Sequence, residues 1–156
     1  MFRYKDSFVF RILILLLIAI LIFPINTVAT EYSTPDVRAS HYLTSYNTYV
    51  YPAALGKIQI WFSVTGVNVM DEIGVLNIHI YESTDNENWT WVKTYKHTTT
   101  SGMLDYDTIY YSNYVQYQGT IGRYYKAYVC IWAGKDGGGD TRYMWTDIEK
   151  ATLFAG

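Results

Sequence analysis

Tyrosine and tryptophan dominate the side chains of this sequence that are able to bind something. Seventeen tyrosines and five tryptophans stand among 156 residues, against three histidines and one cysteine. Both rings join a flat apolar surface to a polar edge, which suits them to recognition surfaces. Between Gly122 and Gly134 they are spaced to share one face. Tyr124, Tyr128 and Trp132 fall at even positions, while the odd positions Tyr125, Ala127, Val129, Ile131 and Ala133 are mostly apolar. Side chains alternate across a β-strand, so the odd row is expected to face a core and the even row to face out. Sugars pack their C–H faces on such rings, so the chemistry implied is recognition and not reaction.

Other stretches can extend this row. His79 and Tyr81 alternate with apolar Ile78 and Ile80, and Tyr143 and Trp145 lie near the C-terminus. If Met144 and Ile148 point inward, Tyr143 and Trp145 join the same face. The expected ligand-binding residues are therefore Trp132, Tyr128, Tyr124, Tyr81 and Trp145. The competing account is that the rings pair across strands and cover the sheet, where each pair contributes about 0.2–1 kcal/mol.

Catalytic patterns are nearly absent. His41, His79 and His97 show no metal-ligand spacing, and no nucleophile elbow, zinc-protease helix or Cys-x-x-Cys occurs. Asp71, Glu72, Asp105 and Asp107 could supply a carboxylate pair for glycoside chemistry, but loop carboxylates are ordinarily solvated. Asp136 and Asp140 flank three glycines, yet calcium takes six to eight oxygen ligands, so a plain loop is favoured. The glycines open into a strand and form no phosphate cradle. Cys130 reads as a small semi-buried hydrophobe. Asn88-Trp89-Thr90 matches the N-glycosylation pattern. A protein without catalytic activity, metal or cofactor is expected.

The elements that would position the rings are strands. Ile58, Ile60, Phe62 and Val64 alternate with Lys57, Gln59, Trp61, Ser63 and Thr65, the period of a half-buried strand. Residues 37–51 predict one or two short strands, residues 68–72 a loop, and residues 73–83 another strand. The polar run 84–88 has hairpin length, and Trp89–His97 returns as its antiparallel partner. Strands follow at 108–118, 122–134 and 141–154, with a glycine-rich loop over 134–140. Beyond the N-terminal segment no helical stripe appears. About seven strands separated by turn residues predict an all-β, antiparallel β-sandwich.

The N-terminal segment reads as a secretory signal peptide over residues 1–29. Arg3, Lys5 and Arg11 precede the apolar run Ile12–Phe23, and Thr27-Val28-Ala29 offers a cleavage site. The competing reading is a membrane anchor, for which the run is short. The expected product is a single domain over residues 30–156, secreted, with no membrane contact after cleavage. That region holds nine basic and thirteen acidic residues, a formal charge of −4. Such a balance argues against nucleic acid and against anionic lipid. One cysteine allows no internal disulfide, and export with so little cysteine suggests a Gram-positive bacterium.

Gly122-Arg-Tyr-Tyr-Lys-Ala127 resembles the start of the sixth strand of immunoglobulin-like and fibronectin type III-like sandwiches. In those folds a tyrosine at this place bonds upstream backbone, and Tyr125 has the matching parity. Ala127 stands where immunoglobulins carry cysteine, and Trp61 lies on the second strand instead of the third. The Ser-Thr-Asp-Asn-Glu-Asn-Trp89 hairpin and the Tyr-Tyr-Lys-Ala-Tyr-Val129 strand also resemble small exported β-sandwich proteins of Gram-positive bacteria, whose families carry no assigned activity. The resemblance implies secretion and a sandwich. The expected function is a binding module for a carbohydrate or cell-wall polymer. The alternative is a structural β-sandwich with a protein partner.

Overall fold

The computed structural model describes residues 40–155. The expected signal peptide, residues 1–29, lies outside them. The described residues belong to one compact unit, all-β, with seven strands and no helix among them. The strands are β1 (Leu43–Pro52), β2 (Lys57–Ser83), β3 (Thr90–Lys96), β4 (Leu104–Gln118), β5 (Tyr124–Lys135), β6 (Gly138–Trp145) and β7 (Glu149–Lys150). All pairings are antiparallel, and they join the seven strands into one continuous sheet.

β2 is the spine, with 27 residues. Straight, it would reach about 90 Å at ~3.3 Å per residue, more than twice the width of a domain this size. It therefore bends, and its ladder irregularities lie at Thr65/Met70, Val75/Asn77 and Ile80/Tyr81. Each irregularity increases local twist and turns the strand. Its first half pairs with β1 and β4, its second half with β3 and β5. Gly74 sits at φ 145°, and a Cβ there would lie 2.3 Å from the Met103 carbonyl oxygen. That carbonyl accepts the Val75 N–H at 2.8 Å, so only glycine fits the crossing.

Curling lets the two halves of the sheet share one core. Ile58, Ile60, Phe62 and Val64 meet Ile73, Val75, Ile78 and Ile80 from the same strand, with Tyr125, Ala127, Val129, Ile131 and Ala133 of β5. The inward row of β5 is fully buried, at 0% exposure throughout, as its alternation predicts.

Several boundaries differ from the sequence reading. Residues 68–72 form no loop but belong to β2, because Met70 and Glu72 continue the ladder with β4. The glycine-rich stretch is a two-residue turn. Asp136 and Gly137 have φ of 52° and 75°, and Lys135 faces Gly138 directly. An Asp-Gly pair is the standard residue choice for such a turn, and Gly138 and Gly139 beyond it already lie in β6. The strand expected over 141–154 divides into β6, which stops at Trp145, and the two-residue β7. Thr146 turns the chain, accepting the Ala127 N–H on its Oγ1 at 2.9 Å, and Ile148, expected inward, is exposed. Met144 does pack against the core.

Candidate binding face

The outward row of β5 consists of Tyr124, Lys126, Tyr128, Cys130 and Trp132. Its neighbours are set by register. Lys126 faces Tyr81, and Tyr128 lies between His79 on β2 and Trp145 on β6. Cys130 lies between Asn77 and Tyr143. Rows of rings follow from these pairings. Trp145 is 4.9 Å from Tyr128 and 5.2 Å from Tyr81, centroid to centroid. Tyr143 stacks on Tyr128 at 5.6 Å with planes 16° apart. Tyr143 and Trp145 are 60% and 48% exposed, so the cluster is open to solvent.

A cation is built into the cluster. Lys126 Nζ lies 4.2 Å from the Trp89 ring and 4.7 Å from the Trp145 ring. Such contacts are worth about 0.5–1 kcal/mol at exposed sites, enough to hold both indoles beside the lysine. Trp89 reaches this place from the β2–β3 turn. Asp85 organises that turn, accepting the N–H groups of Glu87 and Asn88 at 2.9 and 2.8 Å. The bonds from Asn88, then Glu87 and Ser83, hold the Asp85 carboxyl far below the usual carboxylate range. His79 shares a 2.8 Å bond with Thr94 Oγ1, and that hydroxyl also accepts from Trp91 Nε1 at 3.1 Å.

The five expected site residues do not form one patch. Tyr81, Tyr128 and Trp145 come together. Tyr124 and Trp132 stand at opposite ends of β5, eight residues and about 26 Å apart at ~3.3 Å per residue. Tyr124 lies beneath Lys150 Nζ, 5.0 Å from its ring centre. Trp132 borders a cleft of about 370 Å³ lined by Asp71, Glu72, Lys135 and the glycines of the β5–β6 turn. Its Nε1 donates to Glu72 at 3.2 Å. The indole lies against Gly134 and Gly139, and a Cβ on Gly139 would meet it at 2.1 Å. Lys135 and the Asp136 N–H both engage Asp71, at 3.7 and 2.7 Å.

Cys130 is buried, and burial pushes its thiol up from the ordinary value, against the pull of bonds to Tyr143 and Asn77. Among the described residues no group of three His, Cys, Asp or Glu side chains is placed to hold a metal ion. Among them, too, no helix is long and apolar enough to cross a membrane.

Sequence reasoning missed Trp89 and Lys126, whose meeting depends on the length and twist of the hairpin. It also missed a second row on the first half of the sheet. Trp61 is not isolated: it lies between Tyr49 and Tyr114, with centroids at 6.2 and 4.6 Å and the Tyr49 plane within 2°. Its Nε1 donates to Gln59 Oε1 at 3.0 Å. The period-two pattern around Trp61 identified its face, but no local signal identifies its neighbours, which come from β1 and β4.

No protein-family model matches the chain, and no curated protein matches it in sequence. Among solved structures it is similar to the sporulation control protein Spo0M from Bacillus subtilis, with a TM-score of 0.38 and 8% identity. The similarity covers 67% of this chain and 48% of that one, so this chain spans about half of it.

Proposed function

We propose that this protein is a secreted, non-catalytic binding module that takes an extended carbohydrate or cell-wall polymer along the outward face of β5. The observation that carries the proposal is the open cluster of Tyr81, Tyr128, Tyr143 and Trp145, in ring contact on adjacent strands. Rings held by neighbours lose little freedom when a ligand arrives, which favours affinity. Trp132, with Asp71 and Glu72 beside it, continues the track and offers carboxylates to hydroxyl groups. The run from Tyr128 to Trp132, about 13 Å at ~3.3 Å per residue, suits a chain of linked sugars better than a single one. Secretion is proposed from the basic and apolar N-terminal segment. The immunoglobulin-like sandwich is proposed as the closest description of two half-sheets sharing a core.

The test is retention of residues 30–156 on insoluble cell-wall and plant polysaccharides, with Trp145→Ala alongside. Trp145 is half-exposed, so its loss spares the core. The expected result is binding that weakens about tenfold in the variant, roughly 1.4 kcal/mol, with an unchanged circular dichroism spectrum. Retention on no polymer refutes the proposal. The second reading, a protein-interaction domain, is favoured by the open edge of β4.

A further inference from the structure

Charge is divided unevenly between the ring face and the rest of the molecule. Residues opposite each other in an antiparallel pair share a face, so register assigns the outward positions. They include Lys96 opposite Asn77, Lys126 opposite Tyr81 and Lys150 opposite Tyr124. No aspartate or glutamate occurs in residues 77–81 of β2, 90–96 of β3, 124–132 of β5 or 141–145 of β6. Residues 30–156 nevertheless hold thirteen acidic and nine basic residues, so the carboxylates are concentrated elsewhere. Among the described residues Arg123, Lys135 and Arg142 pair with carboxylates, whereas Lys96, Lys126 and Lys150 pair with none. The ring face therefore carries uncompensated positive charge on an acidic protein.

Given the polymer-binding role proposed above, on which this rests, we infer that the polymer is anionic and that Lys126 binds its carboxylate or phosphate groups while the neighbouring rings take its apolar faces. Lys126 Nζ stands between the Trp89 and Trp145 rings, 4.2 and 4.7 Å from their centres. A long charged side chain ordinarily loses freedom when it binds, and this one is already held. Indoles on two sides displace water from the ammonium group, and a charge attracts its partner more strongly where water is sparse. Lys150 repeats the arrangement at the next outward position of β5, with its Nζ 5.0 Å from the Tyr124 ring. That position lies about 7 Å along the strand at ~3.3 Å per residue, so the two cations suit a chain charged on successive units. The charge reverses beside Trp132, where Asp71 and Glu72 line the cleft, and the anionic groups are met toward Tyr124. Single-stranded nucleic acid, which also combines charge with rings that stack, is the rival polyanion. The acidic remainder of the protein opposes its denser charge.

Titration calorimetry of residues 30–156, which include the whole compact unit, compares polygalacturonate with its full methyl ester, the same backbone without charge. Poly(glycerol phosphate) supplies a phosphate arm, and oligothymidylate a nucleic-acid arm. One of the first two polyanions is expected to bind about tenfold more tightly than the ester, the scale of one bond to a charged group. The tighter of them identifies carboxylate or phosphate as the group. The preference should shrink at about 1 M salt, where the screening length is ~3 Å. Lys126→Met should abolish the preference and leave binding of the ester unchanged, and Lys126→Arg should keep it. Lys57→Met removes a charge from the first half of β2 and should change nothing. Circular dichroism confirms that the variants fold. Binding to the ester or to neutral insoluble polysaccharides as tight as to the polyanions overturns the inference and leaves the binding module standing. Failure to bind any of them overturns both. An equal loss in Lys57→Met and Lys126→Met overturns the assignment to Lys126, and tighter binding of oligothymidylate than of either polyanion overturns the inference in favour of nucleic acid.

Discussion

Removing one oxygen atom, with Tyr125→Phe, should cost this domain a large part of its stability in a pH-dependent way. The ring of Tyr125 is fully buried. Its Oη accepts the Thr120 N–H at 2.8 Å and donates to the Glu82 carboxylate, whose other oxygen pairs with Arg123. A neutral bond contributes about 1 kcal/mol and one to a charged group about 1.5–3 kcal/mol, so the variant should lose about 2–4 kcal/mol. Domains of this kind have about 5–15 kcal/mol in total. Burial first, then the bond to Glu82, raises the Tyr125 phenol from 10.0 to about 12. Folding thus favours the protonated form. Its contribution is complete below pH 10 and is lost as the pH rises through 12. The loss amounts to about 1.4 kcal/mol by pH 11 and approaches ~2.7 kcal/mol above pH 12. Urea unfolding at pH 8, 10 and 11 measures both effects. The wild-type and variant curves should converge toward alkaline pH. A difference below 1 kcal/mol at pH 8, or one of constant size across the range, refutes the reasoning.

Gly139→Ala should evict the Trp132 indole, because the added Cβ would lie 2.1 Å from the ring; the ring end can swing outward, so the fold survives. Tryptophan emission should shift to the red, and polymer retention should fall if Trp132 belongs to the track. Asp85→Ala should loosen the β2–β3 turn that presents Trp89, which amide exchange at Glu87 and Asn88 reads directly. In the wild-type protein the depressed Asp85 carboxyl keeps its contribution above pH 3.8, its ordinary value, and loses it only as the pH falls well below that. Protection of those two amides should therefore persist through pH 4.

The inward row of β5 was legible from Tyr125 to Ala133, because a strand buried on one face leaves a period of two. The same pattern exposed Ile58 to Val64. The hairpin at 84–88 was legible from its turn residues. The break expected at residues 68–72 was not there. Polar residues at a bend in a long strand carry the same composition as a loop, and only the partners on β4 and β5 distinguish the two. The Asp-Gly turn was hidden by the glycines that follow it, of which Gly138 admits the Tyr42 hydroxyl and Gly139 the Trp132 indole.

The sequence by itself determined that this protein is built from antiparallel strands and which side chains of β5 and of the first half of β2 face the core. These are local properties, fixed by alternation and by turn chemistry. It also determined that rings would line an outer face. Tertiary structure decided which rings meet. Tyr81 touches Trp145, and Trp61 lies between Tyr49 and Tyr114, because register brings together residues on different strands, from 12 to 64 positions apart. The curl of β2 and the open edge of β4 were likewise decided there, since pairing is a property of two strands and no single stretch encodes its partner.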